Sequence, residues 1–380
     1  MAFIQPFQNP IFVTQPLLPS LGRMEELLGE IWESRWITNA GEKSQELEEK
    51  LRNFLKIPYL SLINNGTTAL TIALKALDLE GEVITTPFTF SATVHAIQWM
   101  GLKPVFVDID PTSLCIDPKK IDPAISSKTS AILPVHVFGH PCDVETIQQI
   151  ALKNGLKVIY DAAHAFGTET DQVGIGNFGD ITMFSFHATK LFNTAEGGAL
   201  SCKDEMIKKR IDRIRNFGMG PEGVEEVGIN GKMNELQAAM GLAVLEEVER
   251  EREKRAAVEK VYLDNLPKIP GIYVFRKPSH SKNSYQYFAI QIIEEEFGKS
   301  RDWVFQELKK FNIFARRYFF PLCSHFSCYH GLPSANPENL PVATKIESRV
   351  LALPFFGELG LDRTKKICEI LYMLQSKHGR

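Results

Sequence analysis

An α/β architecture is expected of this chain, with a largely parallel sheet covered on both faces and a smaller α+β domain after it. Three observations lead there. From Tyr59 to Cys202, short apolar runs alternate with stretches of helical period, the signature of strands joined by crossover helices. The 380 residues exceed what one compact core usually holds and suggest about two domains. The alternation stops after a charge-rich helix end at Glu246–Lys254, most simply a solvated face. The boundary is therefore placed near Arg255, giving an arm and large domain over 1–254 and a small domain over 255–380.

The elements follow in order. Residues 1–20 hold four prolines and no clean period, an extended arm that packs on something else. Leu47, Leu51, Phe54 and Leu55 recur at helical spacing within Glu42–Leu55, an amphipathic helix over a core. Tyr59–Ile63 is a strand, Asn64–Thr68 a polar turn, and a helix runs on to Leu79, with Thr67 or Thr68 expected as its N-cap. Strands are expected at 82–86, 103–108, 131–137, 157–160, 181–184 and 198–202. Helices are expected at 92–100, 144–154, 204–216 and from about 239 to 260. In the small domain, 272–275, 287–293 and 312–317 are expected as strands. Residues 302–311, 343–351 and 363–376 are expected as helices. Tyr318–Pro341, rich in aromatic residues, Pro and Ser, is a long loop of the kind that often binds ligands.

Composition excludes several classes. The formal net charge of −3 gives no basic footprint for nucleic acid. Six scattered cysteines in a chain of this length do not form a disulfide framework, so a reducing, cytoplasmic compartment is expected. The N-terminus lacks the build of a signal peptide, and no run reaches the roughly 18 apolar residues of a membrane span. No internal repeat is present, and no Cys or His spacing marks a metal site.

Ligands of parallel sheets sit beyond the C-terminal strand ends. The residues leaving those ends are Asn65-Gly66-Thr67-Thr68, Pro87-Phe88-Thr89-Phe90, Asp161-Ala-Ala-His164 and Ser185–Lys190. A strand, a Gly-containing polar turn and a helix start make an anion site, because free N–H groups and the helix dipole converge there. An ordinary capped turn explains the same residues equally well. Asp161 directly follows an apolar strand, where an unpaired carboxylate is costly. It needs a cationic or protonated partner, and the pyridinium nitrogen of pyridoxal phosphate (PLP) is one; a structural Asp capping the next turn is the plainer account. Lys190, set among small and hydroxylic residues and followed by Gly197-Gly198, is either a solvated surface cation or an amine that forms a Schiff base. Phe90 is a candidate to stack on a cofactor ring, against plain core. His164 is a candidate to bound that ring, against a satisfied buried histidine. His187 is read as structural.

Taken in order, these pieces resemble a known family. Asn65-Gly-Thr-Thr-Ala-Leu70, Pro87-x-Thr89-Phe90-x-Ala92-Thr93, Asp161-Ala-Ala-His164, Phe184-Ser-Phe-His-x-x-Lys190, Glu196-Gly-Gly198 and Gly228-x-Asn230 to Gln237-Ala-Ala239 are similar to the DegT/StrS family of PLP-dependent sugar aminotransferases. The similarity spans nearly the whole chain. It implies PLP-dependent transferase fold type I, the aspartate aminotransferase-like fold, with a mostly parallel seven-stranded sheet in the large domain. It also implies a homodimer with active sites at the subunit interface. Carried over, Lys190 would hold PLP, Asp161 would pair with the pyridine nitrogen, Phe90 would stack on the ring and His164 would lie near it. Gly66, Thr67 and Ser185 would bind the phosphate, and Asn230 would reach the phosphate of the partner's cofactor. Tyr318 and His325 are candidates for substrate contact. The chain departs from the family at Lys232, usually Arg, and in the loop after Pro321.

The resemblance implies transamination, with L-glutamate as donor and a nucleotide-linked keto-deoxysugar as acceptor. Lys190, once released, would act as general base, which requires an amine pKa lowered toward neutrality. The segments Val13–Pro19, Arg35–Thr38 and Val135–Asp143 are most similar to members that aminate C4 of dTDP-4-keto-6-deoxy-D-glucose. Amination at C3 of a dTDP-3-keto-6-deoxyhexose and another nucleotide carrier stay open. A PLP-dependent dehydratase on the same scaffold is disfavoured, because that branch replaces the lysine with His. A non-catalytic PLP-binding regulator would keep the cofactor without the donor half-reaction. A nicotinamide oxidoreductase is remote, since the glycine fingerprint is absent.

Overall fold

The computed structural model describes residues 4–275 and 281–376. Seven strands form the central sheet: β1 (Tyr59–Ile63), β2 (Glu82–Thr85), β3 (Lys103–Phe106), β4 (Thr129–Leu133), β5 (Lys157–Asp161), β6 (Ile181–Ser185) and β7 (Gly198–Cys202). Their spatial order is β1-β7-β6-β5-β4-β2-β3. Strands β3, β2, β4, β5 and β6 run parallel, and β7 is antiparallel to both of its neighbours. The seven-stranded, mostly parallel sheet expected from the sequence is present.

The sheet is apolar on both faces because each face is covered. Val158 and Tyr160 of β5 point into one core, with α1 (Leu21–Ser34), α2 (Glu42–Leu55), α5 (Val144–Asn154) and the first half of α7 (Glu235–Asn265). Ile159 between them points into the other, with α3 (Gly66–Ala76), α4 (Ser91–Trp99) and α6 (Glu205–Ile214). That is the period-2 alternation of a strand, with both sets of side chains buried. Helix α1 was left unread in the sequence; its buried Leu27 and Ile31 lie four apart on the inward face.

A third core gathers Ile11 with residues from Val258 to Leu374. It contains the antiparallel sheet of β8 (Ile272–Val274), β9 (Phe288–Ile292) and β10 (Val350–Leu353), flanked by α8 (Arg301–Lys309) and α9 (Leu361–Ser376). Helix α7 runs through Arg255 unbroken, so its two halves serve two cores. The N-terminal arm packs on this region: Ile11–Phe12 pair in parallel with Ile313–Phe314.

Three local expectations are corrected. The helix expected over 343–351 is Pro341–Glu347, and Val350–Leu353 is a strand whose Leu353 pairs with Phe288. A four-residue apolar run carries no period of its own, and hydrogen bonding to β9 decides it. The strand expected over 312–317 shrinks to Ile313–Phe314, because the arm offers only two residues to pair with. The N-cap of α3 is Asn65, whose side-chain oxygen accepts from the N–H of Thr68 at 2.8 Å. Thr67 and Thr68 therefore lie inside the helix. This cap puts the first turn of α3 beside the C-terminal ends of β5 and β6, where the candidate site lies.

Candidate active site

Strand β6 ends at Ser185, and the chain then folds into a tight turn in which the Lys190 N–H donates to the His187 carbonyl at 2.8 Å. The turn carries the Lys190 amine inward. Burial lowers its pKa from 10.5 to about 8, while the negative charge of Asp161 pushes it back up. Among the described residues the amine makes no hydrogen bond and no ion pair; it lies 5.7 Å from the centre of the Tyr287 ring. An amine held so close to neutrality, with its lone pair uncommitted, is equipped to be a nucleophile or a base.

Asp161 ends β5 and is 4% exposed. Its Oδ1 accepts from the Ala163 N–H at 3.0 Å and its Oδ2 from the Thr93 hydroxyl at 2.8 Å. The Thr89 hydroxyl lies 2.8 Å from that of Thr93 and extends the chain. Burial raises the Asp161 pKa; the two hydrogen bonds and the Lys190 charge oppose the rise. Two donors do not exhaust a carboxylate, which has room for about four. The remaining capacity suits a protonated ring nitrogen.

His164 accepts the Phe138 N–H on Nδ1 at 3.2 Å, and burial first, then the Lys190 charge, holds its pKa well below 6.5. It is a neutral ring with its proton on Nε2, assigned from that bond. Phe319 lies parallel to it, 6.0 Å between centres. Phe90, the N-cap residue of α4, is 61% exposed on the cavity wall, its ring open to whatever the cavity holds.

At the other end, Asn65 satisfies Thr68 through its side chain and Ala69 through its carbonyl, leaving Gly66 and Thr67 as first-turn donors with no partner among the described residues. The Ser185 side chain closes this corner. A Cβ added to Gly66 would stand 3.1 Å from Ser185 Cβ, so glycine keeps the corner open.

These groups line one cavity of about 700 Å³. It brings together Gly66, Thr67, Phe90, Asp161, His164, Ser185, Lys190 and Tyr318. It leaves out His325, whose Nδ1 is 3.4 Å from Glu347, and Asn230. Asn230 is exposed, with its carbonyl accepting from Asn64 Nδ2 at 3.3 Å. His187, read as structural, lines the cavity, its Nδ1 2.8 Å from the Thr189 hydroxyl. Sequence reasoning missed Thr93, Tyr287 and Phe319. Thr93 lies three residues after Phe90 on a helix, a spacing that put both on one side. Tyr287 had no local signal, because it arrives from the small sheet.

The donor set fits PLP. A buried carboxylate with spare acceptor capacity suits the ring nitrogen, a glycine-opened helix N-terminus suits the phosphate, an uncovered Phe suits the ring face, and an uncommitted amine suits the aldehyde. The comparisons agree. The sequence pattern of the DegT/DnrJ/EryC1/StrS aminotransferase family matches residues 22–372. A dTDP-4-amino-4,6-dideoxy-D-glucose transaminase of Escherichia coli is 46% identical over 363 residues, covering 94% of this chain and 97% of that protein. The crystal structure of DesI with its TDP-sugar product superposes with a TM-score of 0.94 at 35% identity, covering 98% of this chain and 95% of that one. NtdA of Bacillus subtilis, solved with bound cofactor PMP, gives 0.84 at 29% identity, covering 94% of this chain and 82% of that one. Fold, cavity and sequence converge, and the chain belongs to the DegT/DnrJ/EryC1/StrS family of PLP-dependent aminotransferases.

Proposed function

We propose that the chain transfers the amino group of L-glutamate to C4 of dTDP-4-keto-6-deoxy-D-glucose, giving dTDP-4-amino-4,6-dideoxy-D-glucose. The observation that carries this reading is the partly buried Lys190 amine, sharing one cavity with Asp161, in a chain 46% identical to a transaminase of that name. Bound PLP supplies an electron sink that makes the amino-acid Cα proton acidic. The rest is done by the protein. Asp161 would accept a hydrogen bond from the ring nitrogen and keep it protonated. The N–H groups of Gly66 and Thr67, with the Ser185 hydroxyl, would hold the phosphate, and Phe90 would stack on the ring. Lys190 takes and returns the Cα proton; a pKa of about 8 lets it do both near neutral pH. Tyr287 and Tyr318, packed edge to face with ring centres 5.4 Å apart, stand beside the amine.

The same proposal includes a homodimer in which Asn230 reaches the partner's phosphate corner, and Tyr318 as a sugar contact. Two features favour the dimer. Asn230 lies outside its own cavity, and its segment exposes Phe217, Met219, Val224, Val227, Ile229 and Leu236. No helix among the described residues is long and apolar enough to cross a membrane.

The test is the visible spectrum of the purified chain with PLP, before and after L-glutamate, beside Lys190→Ala. The expected wild-type band bleaches with glutamate and returns with the keto-sugar, whose amino product is identified by mass. Lys190→Ala is expected to show neither the band nor turnover. A wild type that gains no band with PLP overturns the reading.

A further inference from the structure

The turn that carries Lys190 is held from both sides by a residue far away in sequence. Gln286 lies two residues before β9 and is 2% exposed. Its side-chain oxygen accepts the N–H of Leu191 at 2.8 Å, and its side-chain NH₂ donates to the carbonyl of Thr189 at 2.9 Å. Those peptide groups flank Lys190. Next to it, the Tyr287 ring lies 5.7 Å from the Lys190 amine and packs edge to face on Tyr318. Gln286 itself is not on the cavity wall and is used in no step above.

We propose that Gln286 is a positioning residue for Lys190: its amide fixes the peptide groups before and after the lysine and so sets where the amine stands in the cavity. The inference rests on Lys190 acting as proposed above. The geometry calls for this residue type. One partner is a donor and the other an acceptor, and among neutral side chains of this length only a primary amide answers both at once. The anchor matters because a lysine has four side-chain torsions, and the amine goes wherever the turn and the cavity wall together send it. A misplacement of about 1 Å at a reacting group costs on the order of 100-fold in rate.

A residue that merely stabilised the fold would change melting and nothing else, so the test reads Lys190 directly. The cofactor-free chain is pulsed with acetic anhydride across a pH series, and modification of Lys190 is quantified by peptide mass spectrometry. The groups facing the amine are Asp161, Tyr318, Tyr287 and the neutral His164. Wild type is expected to label with a midpoint near pH 8. Gln286→Met keeps the length and loses both bonds. It is expected to raise the midpoint by about one pH unit, as the loosened turn lets water reach the amine. In the loaded enzyme it is expected to lower kcat roughly 100-fold with the KM for glutamate within about twofold. If Gln286→Met does not fold, Gln286→Asn decides, because it keeps the amide but is too short to reach both peptide groups; it must move the midpoint and kcat in the same directions. Wild-type midpoint and kcat in the folded variants would overturn the inference while leaving the aminotransferase reading intact. Failure of the wild type to bind PLP would overturn the aminotransferase reading and with it the catalytic side of the inference; the labelling midpoint, measured without cofactor, shows separately whether Gln286 places the amine.

Discussion

The burial that makes Lys190 reactive also makes it costly. In the unfolded chain its amine holds a proton up to about pH 10.4. In the folded chain it releases that proton near pH 8. Between those values the unfolded chain binds more protons, so native stability rises with pH across that window. Below pH 8 both states are charged, and the folded one bears a penalty of roughly 3 kcal/mol at most. Lys190→Met removes the penalty. Asp161 loses a favourable charge in the same variant, so the net gain is smaller. The expected outcome is a cofactor-free Lys190→Met chain that melts higher than wild type at pH 7 and lacks the rise between pH 8 and 10.5. Thermal melts at a series of pH values check it. A variant no more stable than wild type at pH 7 would mean that burial is not what depresses the lysine.

Helix α3 shows how a helix start serves stability and binding through separable interactions. Asn65 caps the helix, and its side chain lines the phosphate corner of the cavity. Asn65→Ala removes the acceptor for the Thr68 N–H and is expected to cost about 1 kcal/mol. Asn65→Asp keeps that acceptor and adds a charge the helix dipole favours, so stability holds. The same charge repels a phosphate, and PLP affinity is expected to fall about tenfold or more, near 1.4 kcal/mol. Melting of the cofactor-free chain and PLP titration of both variants test the separation; equal loss of affinity in the two would sink it. This helix also shows what could be read from sequence. Strand β1, the turn and the helix were visible because an apolar run, Asn-Gly and a helical period follow one another. The cap was misplaced by two or three residues because Asn65, Thr67 and Thr68 all have capping side chains. Asp161 was visible because it closes an apolar strand at the sheet's C-terminal edge, and Lys190 because it follows another such strand after a few small and hydroxylic residues. Tyr287 and Gln286 were not, because their importance lies in meeting the Lys190 turn about a hundred residues earlier in the chain, and no local period encodes such a meeting. The strand Val350–Leu353 failed for the same reason, being defined by its pairing with β9.

At the scale of the molecule two features matter: the Lys190 cavity, and a segment anchored to its own chain through buried Met233 and Glu235 whose outer face stays exposed. Within the cavity wall Lys190 stands as the main cation, while the proposed ligands bring a cofactor phosphate, a diphosphate and the carboxylates of glutamate. The segment from Phe217 to Leu236 turns apolar side chains outward and holds Asn230 away from its own site. In a twofold dimer that segment is free to complete the partner's site. If so, each site takes Lys190 from one chain and Asn230 from the other. A Lys190→Ala chain and an Asn230→Asp chain are then each inactive alone. Refolded together in equal amounts, half of the dimers are mixed, and each mixed dimer carries one site with both defects and one with neither. The mixture is expected to recover roughly a quarter of wild-type activity. An assay of the co-refolded mixture against each parent decides it. No recovery beyond the sum of the parents would place Asn230 in the service of its own chain, and the exposed segment would need another explanation.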